Sequence, residues 1–271
     1  MRKYLLLIFA MMIIALAITG VFIIRGKNKT VAGVVIATSP SSEYPRIEKF
    51  EVPILMYHYI RNARNETELG QKLSVSPTNL DRQMGYLKEH DYETMKLADL
   101  ADPDKKELSR IYFEKKKPII LTFDDGYRDA YTEALPILKK YGFIGTFFII
   151  RDLVGRNNRM SQKQIDELQN EGFEIGAHTL RHPDLSKISI NEQRKQIFDS
   201  KEGADTFCYP SGKYNDETIS LVKEAGYMAA VTTKIGVVNE TSNLYELPRV
   251  RIENFGAQGL ADRIQSALEH S

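Results

Sequence analysis

The most constraining feature of this chain is a repeated order of short apolar runs and amphipathic stretches from Val52 onward. Each apolar run has the length of a buried strand, and the stretches between carry apolar residues at helical spacing. This order predicts a parallel α/β fold, because consecutive parallel strands need a crossover connection that is usually a helix. With roughly seven such units, a closed or incomplete barrel fits better than an open sheet.

The predicted strands and helix starts follow from the same pattern. We predict strands at 52–59, 118–123, 144–150, 173–178, 206–209, 228–233 and 247–252. Helices are expected to begin near Asn79, Ser161, Asn191 and Asn215, and a last helix to cover 258–268. Ser161 with Gln164 has the pattern of a capping box, which marks a helix start.

The amino-terminal residues predict a membrane anchor. Residues 4–24 contain no charged side chain and are long enough to cross a bilayer at about 1.5 Å per residue. A cleaved signal peptide is the competing interpretation, but the run is long for one and no clear cleavage site ends it. We therefore expect an anchor at 1–27, a linker at 28–51 and an extracytoplasmic domain at 52–271 of a cell-membrane protein, or a secreted protein if the anchor is cleaved. Basic residues on both sides leave the orientation open.

Charge and cysteine content exclude some classes of function and of metal site. The 37 basic and 36 acidic residues nearly cancel, so no global field would attract nucleic acid. Cys208 is the only cysteine, which excludes an internal disulfide and a thiolate metal cluster. A metal site must therefore use His, Asp or Glu side chains. The oligomeric state cannot be predicted from these features.

Candidate metal ligands follow two of the predicted strands. Asp124 and Asp125 end one strand, and His178 ends the next but one, with His182 four residues later. Active sites of parallel barrels collect at the carboxyl ends of the strands, so these side chains are expected to meet. Two histidines and one carboxylate leave positions open for water and substrate, as in hydrolytic Zn²⁺ sites, although Fe²⁺ also binds such sets.

Three motifs in order resemble the polysaccharide deacetylases, carbohydrate esterase family 4, also called the NodB-homology domain. They are Thr-Phe-Asp-Asp-Gly at 122–126, the pair His178 and His182, and Tyr-Pro-Ser-Gly at 209–212. The segments 52–58 and 247–251 resemble the branch that contains the poly-N-acetylglucosamine deacetylases. The resemblance covers about 52–268, nearly everything beyond the predicted anchor and linker.

This resemblance implies a distorted or incomplete (β/α) barrel of the NodB-homology type, and an activity. The family removes acetyl groups from N-acetylated sugars with a divalent metal, usually Zn²⁺, with Co²⁺ or Ni²⁺ as alternatives. Asp125, His178 and His182 would be the metal ligands, and Asp124 would be the general base. The implied partner is an N-acetylated polysaccharide of the cell surface, either poly-N-acetylglucosamine or peptidoglycan.

The third motif implies an oxyanion site. A backbone N–H near Tyr209 would, together with the metal, hold the negative charge that develops on the amide oxygen. Pro210 and Gly212 would fix the conformation of that loop.

The chain lacks two residues of the family pattern, the late histidine and the arginine before the third motif. The family places a late histidine as general acid, but the only late one here is His270, one residue from the end, where we expect fraying rather than a catalytic role. We therefore assign the acid to His58, at the end of the first predicted strand. The usual arginine before the third motif is also missing, and Arg249 or Arg128 could supply that charge, with Arg249 the better candidate.

Two alternative functions stay open on the sequence. The same site could hydrolyse O-acetyl esters of a polysaccharide such as xylan. A catalytically inactive, wall-anchored carbohydrate-binding protein is the other alternative, which the intact metal set and Asp124 argue against.

Overall fold

The computed structural model describes residues 44–269, except 46 and 65. The predicted anchor, the first part of the predicted linker and His270 lie outside these residues. Within the described part of the chain, no helix has both the length and the apolar character needed to cross a bilayer.

Helices and strands alternate along most of the chain. The strands are β1 Glu51–Val52, β2 Ile54–Tyr57, β3 Tyr59–Ile60, β4 Ser74–Val75, β5 Tyr92–Thr94, β6 Lys117–Phe123, β7 Thr146–Ile149, β8 Glu174–Ala177, β9 Thr206–Cys208, β10 Ala229–Ile235, β11 Val238–Asn239 and β12 Leu247–Arg251. The helices are α1 Glu68–Lys72, α2 Pro77–Glu89, α3 Lys106–Phe113, α4 Leu135–Tyr141, α5 Gln162–Asn170, α6 Ile190–Phe198, α7 Asp216–Glu224 and α8 Ala257–Glu269. A π-helical turn, Ala130–Ala134, leads into α4.

Seven parallel strands form a closed ring in the order β2, β12, β10, β9, β8, β7 and β6, and β6 pairs again with β2. The barrel is distorted in two places. The β8–β9 pairing rests on Ala177 and Phe207 alone, and the β10–β12 register shifts between Val231 and Ile235. The prediction of a parallel α/β barrel is confirmed. β5 pairs with the first residues of β6, outside the ring of seven.

The predicted strand 52–59 is divided into three. Pro53 separates β1 from β2, and its missing N–H is consistent with a break in the ladder. His58 separates β2 from β3, which leaves the barrel and pairs with β4. The sequence prediction of one continuous strand is wrong here, because local apolar content does not reveal a change of pairing partner. As a result, His58 stands where the chain leaves the barrel wall.

Alternation along β6 decides which of its side chains point into the barrel. Ile120 packs in a cluster with residues from β7, β9 and β10, whereas Leu121 and Phe123 pack in another cluster with residues of α2, α4 and α8. Successive strand residues point to opposite faces, so Ile120, Thr122 and Asp124 share the face toward the barrel interior. Asp124 therefore enters the barrel mouth, and Asp125 begins the following loop.

Candidate metal centre and buried carboxylate

The three predicted metal ligands come together at the carboxyl ends of β6 and β8. Asp125 Oδ1 lies 3.3 Å from His178 Nε2 and 3.5 Å from His182 Nε2. The ligand atoms of all three residues lie within 4.8 Å of one another. Two ligands about 2.0–2.1 Å from a tetrahedral Zn²⁺ stand about 3.3 Å apart, so these separations fit one ion.

Hydrogen bonding explains why a cation suits this position. His178 Nδ1 lies 2.7 Å from the carbonyl oxygen of Cys208, which can only accept, so Nδ1 carries a proton. In the neutral ring, Nε2 then presents a lone pair toward the Asp125 carboxylate. Two electron-rich atoms at this distance repel each other unless a proton or a metal ion lies between them. The fixed tautomer and the buried carboxylate therefore fit a divalent metal.

The site is held by backbone conformations that are rare for residues with side chains. Asp125, Thr179, His182 and Ser211 have φ of 73°, 65°, 62° and 52°. Such left-handed residues are uncommon and persist where the surroundings fix them. Thr179 fixes one of them, because its Oγ1 accepts a hydrogen bond from the His182 N–H at 2.9 Å. His178 and His182 thus approach one another through a strained bend rather than a helical turn.

Asp124 is paired with a buried arginine. Arg249 Nη1 and Nη2 donate to Asp124 Oδ1 and Oδ2, each at 2.8 Å, and the two residues are 1% and 3% exposed. Arg249 also donates to Thr122 Oγ1 and to the Thr232 carbonyl oxygen. Burial opposes the charge on Asp124, but the Arg249 guanidinium, together with His58 and His178, more than offsets this effect, so the pKa of Asp124 is below its usual value. Asp124 is therefore held ionised.

Cys208 is a contact of this pair that the sequence analysis missed. Its Sγ lies 3.6 Å from Asp124 Oδ2 and 3.4 Å from Arg249 Nη2. The residue is completely buried, as its apolar neighbours predict, but it also borders the carboxylate. Its position at the end of β9, directly before the third motif, could have predicted that it lies near the site.

His58 lies on the other side of the same carboxylate. Its Nε2 is 3.8 Å from Asp124 Oδ2, and its side chain is 16% exposed. Burial lowers the pKa of His58 below its usual value, and the nearby Asp124 offsets only part of this effect. His58 is therefore neutral at pH 7.

The loop after β9 has one uncommitted amide. The Tyr209 N–H donates to the Val231 carbonyl oxygen at 3.2 Å, and the Gly212 N–H to the Tyr209 carbonyl oxygen at 2.9 Å. Pro210 has no N–H. Among the described residues, the Ser211 N–H has no acceptor, so it is the amide of this turn that is free to bind an oxyanion. The expectation that an amide near Tyr209 is available therefore applies to Ser211 and not to Tyr209 itself.

Gly212 holds this loop in place for steric reasons. Its φ is 64°, and a Cβ on it would lie 2.1 Å from Thr233 Oγ1. Pro210 is buried beside it. The loop therefore approaches β10 more closely than a side chain would allow.

Arg128 does not approach the carboxylate pair. It is exposed, and its Nε donates to the Arg159 carbonyl oxygen at 3.3 Å. Between the two arginines considered from the sequence, Arg249 is the one that contacts Asp124. The roles of all these residues in a reaction stay predictions.

A cavity of about 470 Å³ lies elsewhere, beside the amino-terminal ends of β2 and β12. Phe50, Val238 and Leu244 are among its lining residues, and none of the candidate ligands is. Volume alone would favour this cavity as a binding site. The candidate metal ligands and the Asp124–Arg249 pair lie at the carboxyl ends of the strands, so we place the site there.

Comparison with known proteins shows which proteins the chain resembles. The sequence profile described as polysaccharide deacetylase matches residues 113–230. YxkH of Bacillus subtilis (strain 168), whose name places it with the polysaccharide deacetylases, is 33% identical over 214 residues, 74% of this chain and 71% of that protein. The poly-β-1,6-N-acetyl-D-glucosamine N-deacetylase of Staphylococcus aureus (strain MRSA252) is 27% identical over 77% of this chain and 81% of its own.

A solved structure shares the fold. The deacetylase PplD of Streptococcus pyogenes, determined in complex with acetate, superposes with a TM-score of 0.68 at 32% identity. The match covers 79% of this chain and 97% of that chain.

Proposed function

Because this chain belongs to the polysaccharide deacetylase family, we propose that it removes N-acetyl groups from N-acetylglucosamine residues of a cell-surface polysaccharide with the help of a divalent metal ion. One observation carries the proposal. A carboxylate and two imidazole nitrogens converge at single-ion distances beside a second, arginine-bound carboxylate. Family membership identifies the chain as a polysaccharide N-deacetylase, and the metal and substrate are the proposed part.

Asp125, His178 and His182 would hold the metal, and Zn²⁺ fits their nitrogen and oxygen donors best, with Co²⁺ or Ni²⁺ as alternatives. When bound, the ion polarises the amide carbonyl and lowers the pKa of water toward neutrality. An amide is a poor electrophile, so the reaction needs both effects. The other requirements, a base, an acid and an oxyanion contact, fall to residues of the chain.

Asp124 would accept a proton from the attacking water. Arg249 binds both carboxylate oxygens, which fixes the orientation of Asp124 and makes it a weak base. A proton on Asp124 therefore gains free energy by moving to a better base. The neutral His58 Nε2, 3.8 Å from Oδ2, is that base. We infer that His58 takes this proton and delivers it to the departing amine, so the proton lost by water leaves with the product.

The Ser211 N–H would donate to the amide oxygen as its negative charge grows. A backbone amide needs no reorganisation to do this, provided that its turn is fixed. The Gly212 contact with Thr233 and the buried Pro210 provide that rigidity.

The substrate proposal rests on the relatives. The S. aureus relative is named for poly-β-1,6-N-acetyl-D-glucosamine, and peptidoglycan offers the same N-acetylglucosamine residue. The predicted anchor would place the domain outside the cell membrane, where both polymers occur. An O-acetyl esterase could use the same residues, so the assay includes an ester substrate.

The test is release of acetate by the full-length chain loaded with Zn²⁺. The substrates are β-1,6-linked and β-1,4-linked N-acetylglucosamine oligomers and acetylated xylan, and the variants are Asp124→Asn and His58→Gln. We expect acetate and free amine in equal amounts from an oligomer, at least a hundredfold less with either variant, and little from xylan. Circular dichroism checks that Asp124→Asn folds, since it removes the partner of Arg249. Acetate from xylan alone would establish the esterase, and acetate from no substrate would favour the carbohydrate-binding protein.

A further inference from the structure

Four side chains form a continuous stack beside the site. The rings of Tyr59 and Tyr127 lie 3.7 Å apart, and their hydroxyl groups are hydrogen-bonded at 2.5 Å. The Arg61 guanidinium lies 3.6 Å from the centre of the Tyr59 ring, and that of Arg159 lies 3.8 Å from the centre of the Tyr127 ring. The order Arg61, Tyr59, Tyr127, Arg159 therefore has guanidinium groups at both ends.

This arrangement decides what the stack can bind. A tyrosine near a glycan site often offers a ring face to a sugar, but here each ring has its partner tyrosine on one side and an arginine on the other. A stacked guanidinium keeps its N–H donors at its edge, where they can bind oxygen atoms. The Nε atoms of Arg61 and Arg159 are buried without a partner among the described residues. Arg61 pairs with Glu66 at 3.3 Å, whereas Arg159 has no carboxylate partner among the described residues. The stack thus offers the guanidinium of Arg159 as a charged donor rather than an aromatic face.

The stack adjoins the catalytic residues along the chain and in space. Tyr59 follows His58, and Tyr127 comes two residues after Asp125. Tyr127 pairs with Arg159 in a short antiparallel bridge, and the Arg128 N–H donates to the Asn158 carbonyl oxygen at 2.9 Å. These contacts fasten the 151–160 loop to the loop that carries Asp125.

Some of the arginines in and next to these two loops have no acidic partner in the described part of the chain. Among the described residues, no carboxylate lies within 4.0 Å of the basic groups of Arg128, Arg156 or Arg159, which we call the arginine rim. Two other arginines do have such partners, since Arg151 pairs with Glu202 and Arg181 with Asp152. Arg128 and Arg156 are exposed.

We propose that the arginine rim binds acidic groups of the polysaccharide next to the N-acetylglucosamine residue being deacetylated, so that the preferred substrate is an anionic glycan. The proposal rests on the proposed function and names the substrate class of the same site. Carboxylate and phosphate oxygens match guanidinium donors equally well, so both are candidates for the acidic group.

Three β-1,4-linked N-acetylglucosamine oligomers of equal length test this proposal. One is neutral, one carries lactyl carboxylates on alternate residues, and one carries phosphate on the 6-hydroxyls. Dissociation constants are measured by calorimetry with the full-length chain, and kcat/KM is measured by acetate release, each at low and high salt. We expect at least one anionic oligomer to bind about tenfold more tightly than the neutral one, with the difference shrinking in high salt.

Variants test whether the arginine rim causes the tighter binding of the anionic oligomer. The double variant Arg128→Gln with Arg159→Gln should lose most of the preference for the anionic oligomer, whereas Arg159→Lys, which keeps the charge, should retain part of it. Lys195→Gln, which removes an exposed charge from α6, should leave the preference unchanged. Equal binding of neutral and anionic oligomers, or a preference that survives the double variant, would overturn the proposal. The dissociation constants are measured separately from acetate release, so a chain that releases no acetate would refute the proposed function while its dissociation constants still test the arginine rim.

Discussion

Replacing Arg249 with methionine is the sharpest perturbation of the buried carboxylate. Methionine keeps much of the volume but removes every donor. Asp124 would lose two hydrogen bonds of 2.8 Å, and the Thr232 carbonyl oxygen would lose another. Both members of the pair are almost fully buried, so water cannot replace the lost contacts.

The size of the effect follows from that burial. Removing one partner of a buried ion pair costs about 3–5 kcal/mol, because the other charge is left uncompensated. A domain of this size shifts its melting temperature by about 2–4 °C per kcal/mol, so Arg249→Met should melt roughly 6–20 °C lower. Burial would then act on the pKa of Asp124 without the offset from the guanidinium, so that pKa should rise. Asp124 would be protonated over a wider range of acidic pH.

Urea unfolding of the metal-free protein measures this cost, with Arg249→Lys and Asp124→Asn as companions. Arg249→Lys keeps the charge but not the paired donors, so it should lose less stability than Arg249→Met. Combining Arg249→Met with Asp124→Asn should restore part of the loss, because no buried charge then remains unpaired. Wild-type stability of Arg249→Met, or strictly additive losses in the double variant, would refute the assignment of a buried ion pair.

Three further predictions concern the metal, the proton relay and the loop. Asp125→Asn should lower Zn²⁺ affinity by at least tenfold in calorimetry, and saturating Zn²⁺ should raise the melting temperature of the wild type but hardly that of the variant. Burial lowers the pKa of His58 below its usual value, and the neutral form accepts the proton, so kcat/KM should fall as pH drops through that pKa and stay level above it. If kcat/KM instead fell as pH rose above that pKa, His58 would have to be protonated at the start of the reaction. Metal content is measured at each pH to exclude loss of metal as the cause of any fall in kcat/KM. Gly212→Ala should destabilise the protein by about 1–3 kcal/mol more than the control Gly142→Ala. Gly142 has a similar φ of 70° but no atom within 4 Å of its Cβ position, whereas a Cβ at Gly212 would meet Thr233. Equal losses of stability in thermal melts would contradict the steric argument.

The sequence was sufficient to predict the barrel and to predict that the candidate metal ligands lie close together. Buried strands are marked by apolar runs, and their carboxyl ends share one rim, so Asp125 and His178 could be placed together without coordinates. The choice of Arg249 over Arg128 as the partner of Asp124 also agrees with the contacts found.

Contacts that depend on barrel closure could not be read from local patterns. Cys208 and Asp124 are 84 residues apart in the sequence, and Arg249 and Asp124 are 125 residues apart, yet both pairs are in contact. The Tyr209 amide is unavailable because it donates to Val231 of β10, a pairing that local sequence does not reveal. The division of the first predicted strand at His58 likewise follows from β3 pairing with β4 instead of continuing in the barrel.

The central claim is metal-dependent deacetylation at Asp125, His178 and His182, and a Zn²⁺ titration of the metal-free, full-length chain tests it most directly. Acetate release from an N-acetylglucosamine oligomer should rise in proportion to bound Zn²⁺ and level off at one ion per chain, and Asp125→Asn should stay inactive at the same Zn²⁺ concentrations. Full activity in the presence of a chelator, or an Asp125→Asn variant as active as the wild type, would contradict the account.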